Sequence, residues 1–264
     1  MHRTRSIPFV RDTLPRAALA LLAALLLGTA LAATDRRDLD LRMVRNVDAS
    51  TVNGSVTVTV DPSASGVTVV HRGIVDYSVA VEGDTLRLEG RNRSFLCLNC
   101  EVSFEVRLPG PAALSLRTTN GNVSVAGRMD RVDAATTNGN VTTRGTGTAP
   151  LSLRSNNGRV GVRDAQAEVR ARTTNGGVEL SDVALPAGSR NVAQSVNGSV
   201  TVTGLTTRAA LVIDGHLTHG GINVSLDGYE LSYPNTRSFR ATTSGDGTAT
   251  LTLETVNGSL SVHR

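Results

Sequence analysis

The chain has 264 residues, of which 39% are hydrophobic, 19% charged and 3% aromatic, with 26 glycines, two cysteines and no tryptophan. Three Tyr and four Phe are too few for an ordinary enzyme pocket, and the composition is that of a soluble, glycine-rich, aromatic-poor protein. The formal net charge of +4 comes from 27 basic residues, all of them Arg, and it largely disappears once the leader is considered.

Residues 1–32 have the form of a secretory signal peptide. Arg3, Arg5, Arg11 and Arg16 precede an apolar run from Ala17 to Leu27, and Ala30-Leu31-Ala32 forms an A-x-A cleavage site. The run is short for a membrane span, no adjacent arginines occur in the basic region, and no cysteine follows the cleavage site to take a lipid. The expectation is export to the periplasm, cell envelope or extracellular space, with a mature chain from Ala33 that has no transmembrane segment. The leader takes four Arg and one acidic residue with it, so the mature charge is 23 minus 22, or +1. Nucleic acid is therefore not expected as a partner.

Residues 33–111 form a β-rich opening section. It holds one copy of a motif, TVNGSVTV from Thr51, then alternating segments at Val67, Tyr77, Leu86 and Glu101 that read as strands. Between the last two, Cys97 and Cys100 form CLNC. In an exported chain they most simply make a disulfide, although the spacing is tight. A thioredoxin-like centre would need a helix start here, and none is readable.

From 112 to 264 the motif recurs as TTNGNVSV, TTNGNVTT, SNNGRVGV, TTNGGVEL, SVNGSVTV and TVNGSLSV. The turn residues are Asn53-Gly54, Asn120-Gly121, Asn138-Gly139, Asn157-Gly158, Asn175-Gly176, Asn197-Gly198 and Asn257-Gly258, with central spacings of 18, 19, 18 and 22. His219 falls a further 22 along, in a poorly matching coil at 212–224. Six and four residues before each Asn the chain is nearly always apolar, two before it is Thr or Ser, and three after it is Val or Leu. That is a period of two restarted at Asn-Gly, hence a strand, a bend and a second strand. A hairpin meander is the rival reading. The recurrence of one column pattern in every copy favours an all-β parallel β-solenoid with coils of 18–22 residues, in which Asn amides stack about 4.8 Å apart. The aromatic stretches near 67–108 and 229–239 are candidate caps, and 225–243 a candidate irregular segment.

The pattern of signal peptide, opening section ending in VRLPG (Val106 to Gly110) and repeated T-x-N-G-x-V-x-V coils resembles the bacterial exported β-strand-repeat domain family of unknown function labelled "putative adhesin". The resemblance covers Val44 to Val262. It implies the solenoid fold and a surface interaction role, and carries over no catalytic residue.

Asp214, His216 and His219 make a D-x-H-x-x-H run, but the alternation turns His216 outward while His219 takes a turn position, so no metal and no cofactor are expected. Carboxylates are scattered singly at coil edges, with no pair repeating on neighbouring coils, and no catalytic residue is assigned. The outward column three residues before each Asn carries Arg117, Arg154 and Arg172, with Arg170 one outward place earlier, a cationic stripe that could contact an anionic ligand. The expected function is a non-enzymatic envelope or surface interaction module whose partner is an envelope polysaccharide or a surface protein. The alternatives are a polysaccharide-active β-helix enzyme and an envelope stress or signalling accessory that binds another protein.

Overall fold

The computed structural model describes residues 32–93, 100–207, 209–245 and 247–263. The expected signal peptide lies outside them except for Ala32, and so does Cys97. Among the described residues no helix is long and apolar enough to cross a membrane.

Among the described residues every element is a strand. The opening section holds β1 (Ala33–Arg37), β2 (Asn46–Asn53), β3 (Val56–Val60), β4 (Gly66–Arg72), β5 (Val75–Glu82), β6 (Thr85–Asn92) and β7 (Glu101–Leu108). Paired strands follow: β8 (Ala113–Asn120) with β9 (Val123–Ala126), β10 (Arg131–Asn138) with β11 (Val141–Gly147), β12 (Leu151–Asn157) with β13 (Val160–Ala165), β14 (Val169–Asn175) with β15 (Val178–Val183), and β16 (Arg190–Asn197) with β17 (Val200–Thr203). The chain continues through β18 (Ala210–His219), β19 (Ile222–Ser225), β20 (Glu230–Asn235), β21 (Ser238–Thr242), β22 (Thr248–Asn257) and β23 (Leu260–His263).

These strands form two sheets, ordered β1-β4-β7-β3-β9-β11-β13-β15-β17-β23-β19 and β20-β21-β18-β22-β16-β14-β12-β10-β8-β2-β6-β5. We call them the short-strand and long-strand sheets. Pairing through the middle of both is parallel and in register, with Asn120 beside Asn138 and Val123 beside Val141. Antiparallel pairs occur towards the ends, at β1 on β4, β4 on β7, β5 on β6, β21 on β18 and β20 on β21. The protein is thus all-β with parallel-dominated sheets, as its column pattern implies; a meander would have alternated direction from strand to strand.

The order of coils in the stack is not their order in the chain. β2–β3 lies between β6–β7 and β8–β9, and β22–β23 lies between β16–β17 and β18–β19. The neighbour of Asn197 is therefore Asn257, 60 residues on, and His219 stands on the far side of Asn257. Equal spacing had suggested His219 as the next rung after Asn197.

The core is the thin space between the sheets. Its inward columns are closed by small aliphatic side chains such as Leu116, Ala134, Leu153, Ala171 and Ala193 on one side and Val123, Val141, Val160, Val178 and Val200 on the other, all fully buried. The first column mixes Leu and Ala while the second is valine in every one of these coils, so at these positions the thin space is filled by aliphatic side chains alone. Phe104 on β7 and Phe239 on β21 are also fully buried. The ring of Phe239 occupies the space a side chain at Gly215 would need, since a Cβ there would lie 2.0 Å from it.

Asn191 breaks an otherwise apolar inward column, and it is 1% exposed. Its amide donates to Ser189 Oγ at 2.8 Å and to the Thr250 carbonyl at 2.9 Å, while its oxygen accepts from the Val169 N–H at 2.9 Å. This side chain ties β16 to β14 on one side and to β22 on the other, at the seam where the late coil enters. Its polar atoms are all partnered, so burial costs little.

Thr143 is the opposite case. It occupies the inward column of Val125, Val162 and Val202, and its hydroxyl, like that of Thr146, is buried with no hydrogen-bond partner among the described residues. Valine has the same shape without the desolvated hydroxyl. Thr143→Val is expected to stabilise the fold by about 1 kcal/mol, raising Tm by about 2–4 °C. A fall in Tm by calorimetry would show that the hydroxyl is satisfied in solution.

One polar cluster fastens the two sheets at the β1 end. The Tyr77 hydroxyl on β5 donates to the Asp35 carboxylate on β1, His71 Nε2 on β4 stands 3.4 Å from the same carboxylate, and the Arg37 guanidinium lies 6.0 Å over the Tyr77 ring. The Tyr77 hydrogen bond holds the Asp35 carboxyl below its ordinary value, with the charges of His71 and Arg37 acting in the same direction. A depressed carboxyl pKa stabilises the fold above the unfolded value near 3.8 and loses that contribution as pH falls through the folded value. Native protein should melt above Asp35→Asn near neutral pH, and the gap should close as pH is lowered past about 4. A pH-independent gap would refute the assignment.

Candidate anion-binding site

Each strand of the long-strand sheet turns alternate side chains outward, and parallel register stacks them into columns. One column runs Arg117, Ala135, Arg154, Arg172, Gln194 on β8, β10, β12, β14 and β16. The next runs Ser115, Asp133, Ser152, Arg170, Val192. Ser152 is the low point, because its neighbours along and across the strands are longer. Around it lies a basin of about 480 Å³ lined chiefly by Arg131, Asp133, Arg154, Glu168, Arg170 and Arg172.

Of the four arginines in the expected stripe, the structure brings Arg154, Arg170 and Arg172 together in this basin. Arg117 stands outside its lining and pairs with Asp133 at 3.5 Å. Arg170 pairs with Glu168 at 2.8 Å. Arg131, Arg154 and Arg172 have no carboxylate within ion-pair distance among the described residues, and Arg154 and Arg172 are direct register partners. Two guanidinium groups side by side on neighbouring strands repel each other unless an anion lies between them. Their planar forks suit carboxylate, sulfate or phosphate oxygens. Arg131 was missed in the sequence, although it has the outward parity of Asp133 and was legible on that ground.

The turn residues lie along one edge of the stack. Asn120 donates its amide to Asn53, Asn138 to Asn120, Asn157 to Asn138, Asn175 to Asn157, Asn197 to Asn175 and Asn257 to Asn197, at 2.6–2.8 Å. Beneath this ladder the Thr or Ser two residues earlier donates to a carbonyl of the neighbouring coil: Thr118 to Gly54, Thr136 to Gly121, Ser155 to Gly139, Thr173 to Gly158, Ser195 to Gly176 and Thr255 to Gly198, at 2.7–2.8 Å. These side chains are occupied in holding coils together, so the edge offers a ligand little that is free.

Residues 50–263 match the profile of the Toastrack DUF4097 family. The chain belongs to that family. No curated protein matches the sequence. Among solved structures, the Toastrack chain aligns with a "putative cell adhesion protein" from Clostridium sporogenes ATCC 15579, at 10% identity and a TM-score of 0.41, over 88% of this chain and 99% of that one. It also aligns with a "putative adhesin" from Bacteroides fragilis NCTC 9343, at 12% identity and a TM-score of 0.39, over 88% and 97% of the two chains. A third, a "putative lipid binding protein" from Parabacteroides distasonis ATCC 8503, aligns at 9% identity and a TM-score of 0.28, over 89% and 98%.

The other residues singled out in this Toastrack sequence do not gather at the basin. Asp214 on β18 stands 3.6 Å from Arg240, His216 is exposed, and no group of three metal-ligating side chains occurs among the described residues. Cys100 is buried and disulfide-bonded, with its sulfur 3.4 Å from the Ile74 carbonyl, while Cys97 lies outside the described residues.

Proposed function

We propose that this Toastrack chain is a non-enzymatic, exported interaction module of the cell envelope or surface, and that the basin over Ser152 holds an acidic polysaccharide. The observation that carries the reading is the in-register pair Arg154 and Arg172, with Arg131 lining the same basin, none having a carboxylate partner among the described residues. The leader supports export. An open basin floored by a short serine side chain suits a polymer lying across strands better than a small molecule that needs enclosure.

The test is retention of the mature chain, from Ala33, on immobilised polygalacturonate against neutral dextran, with released sugar monitored in the same wells. Saturable, salt-sensitive retention without product is the expected result. Arg154→Ala and Arg172→Ala should each weaken it by about tenfold, the worth of a charge-assisted hydrogen bond. Shortened sugar in solution would sink the non-enzymatic reading, and retention unchanged by both substitutions would sink the basin.

A further inference from the structure

The geometry points to a second anion site on the short-strand sheet, formed by Arg144, Arg159 and Arg163, that takes the same acidic polysaccharide, so that one chain holds two segments of polymer on opposite faces. The inference rests on the reading of the Ser152 basin for its ligand class, but on different residues for its evidence.

Arg144 on β11 and Arg163 on β13 are direct register partners, both outward and exposed. Neither has a carboxylate within ion-pair distance among the described residues; the nearby Glu179 is taken by Arg159 at 3.4 Å. Two residues before Arg163 on β13, and opposite Thr142, the floor drops to backbone at Gly161, where an added Cβ would meet just the Thr142 methyl, at 3.7 Å. The hollow so formed has a volume of about 380 Å³, and Ser124 and Thr142 on its lining supply hydroxyls beside the guanidinium groups.

This arrangement repeats the chemistry of the basin on the other face: a low residue, a pair of arginines in register on strands about 4.8 Å apart, and one further arginine engaged with a glutamate. Like charges directly opposite on neighbouring strands are unfavourable, and a bridging oxyanion relieves that cost while gaining charge-assisted hydrogen bonds from both forks. The two sites occupy overlapping coils, β10–β11 to β14–β15. No aromatic ring lines either hollow, which removes the stacking platform a single-stranded nucleic acid would use. A flexible polyanion of sugars fits both.

Calorimetric titration of the mature chain with tetragalacturonate tests the inference. Native protein should bind two equivalents, R144Q/R163Q one, R154Q/R172Q one, and the quadruple variant none, with each double variant melting like native protein. Long polygalacturonate should be cross-linked into large particles by native chain and by neither double variant. If R144Q/R163Q binds as many equivalents as native protein while R154Q/R172Q loses one, the second site is overturned and the basin stands. If R154Q/R172Q loses nothing while R144Q/R163Q does, the basin falls and the second face stands. Failure of native protein to bind overturns both, and displacement by inorganic phosphate in the sugar's own concentration range overturns the assignment to a polysaccharide.

Discussion

Gly158→Ala should destabilise the protein by at least about 3 kcal/mol and lower Tm by roughly 6–12 °C or prevent folding. The column of turn glycines packs backbone on backbone: a Cβ at Gly158 would lie 1.9 Å from the Gly139 carbonyl oxygen, and one at Gly139 would lie 2.0 Å from that of Gly121. Relief cannot come from a side-chain rotation, because the obstacle is main chain. It requires two coils to move apart, and that movement would break the Ser155 to Gly139 and Asn157 to Asn138 hydrogen bonds as well as the core contacts behind them. Gly161→Ala is the control, since its added methyl would make an ordinary contact at 3.7 Å. Equal melting points for the two variants would show that the stack opens far more cheaply than its geometry implies.

Removing residues 247–264 should leave a chain that does not fold, or that folds and aggregates. The coil lost is not peripheral. Leu251, Leu253, Leu260 and Val262 are fully buried, and four such side chains are worth roughly 6–12 kcal/mol of burial, comparable with the whole stability of a domain. Their loss exposes one face of β16–β17 and separates β18–β21 from the rest of the stack. It also removes the Thr250 carbonyl that Asn191 donates to, leaving a polar side chain in an apolar column. Circular dichroism and sedimentation would show the outcome, and a monomeric truncated chain with native strand content would contradict the assigned stack order.

The parts of this fold that depend on columns were legible in the sequence. Alternation about the Asn-Gly step identified the inward residues, the outward arginines and the parallel, all-β architecture, because each column is a repeated one-dimensional signal. Stack order was not legible. The motif at Asn257, TVNGSLSV, differs from SVNGSVTV at Asn197 by conservative exchanges alone, and nothing local in 198–256 says that β18–β21 must step aside for it; Asn191, opposite Leu251, was the one anomaly at that seam, and its meaning appears only with its partners. The second bend of each coil was missed for a different reason. Asp164 and Asp182, with φ of 55° and 54°, share that left-handed position with Gly145 and Gly204, and a column that mixes Asp with Gly does not look like a glycine column although both residues tolerate the geometry. The basin was half visible: parity gave three of its arginines, while the depression over Ser152 is a difference in side-chain length that became evident once the columns were set side by side.

The position of β22–β23 has a further consequence for how such a molecule can change size. A solenoid whose final coil lies at its tip can lengthen by simple addition there, whereas here the tips are antiparallel strands or coils from earlier in the chain, and the last coil is already wedged between two others. Extra coils can be accommodated without disturbing either wedge by duplicating a unit between β8–β9 and β16–β17, where chain order and stack order coincide. Such a duplication would extend the same two faces that carry the arginines, so growth of the scaffold and growth of its charged surface would be one event.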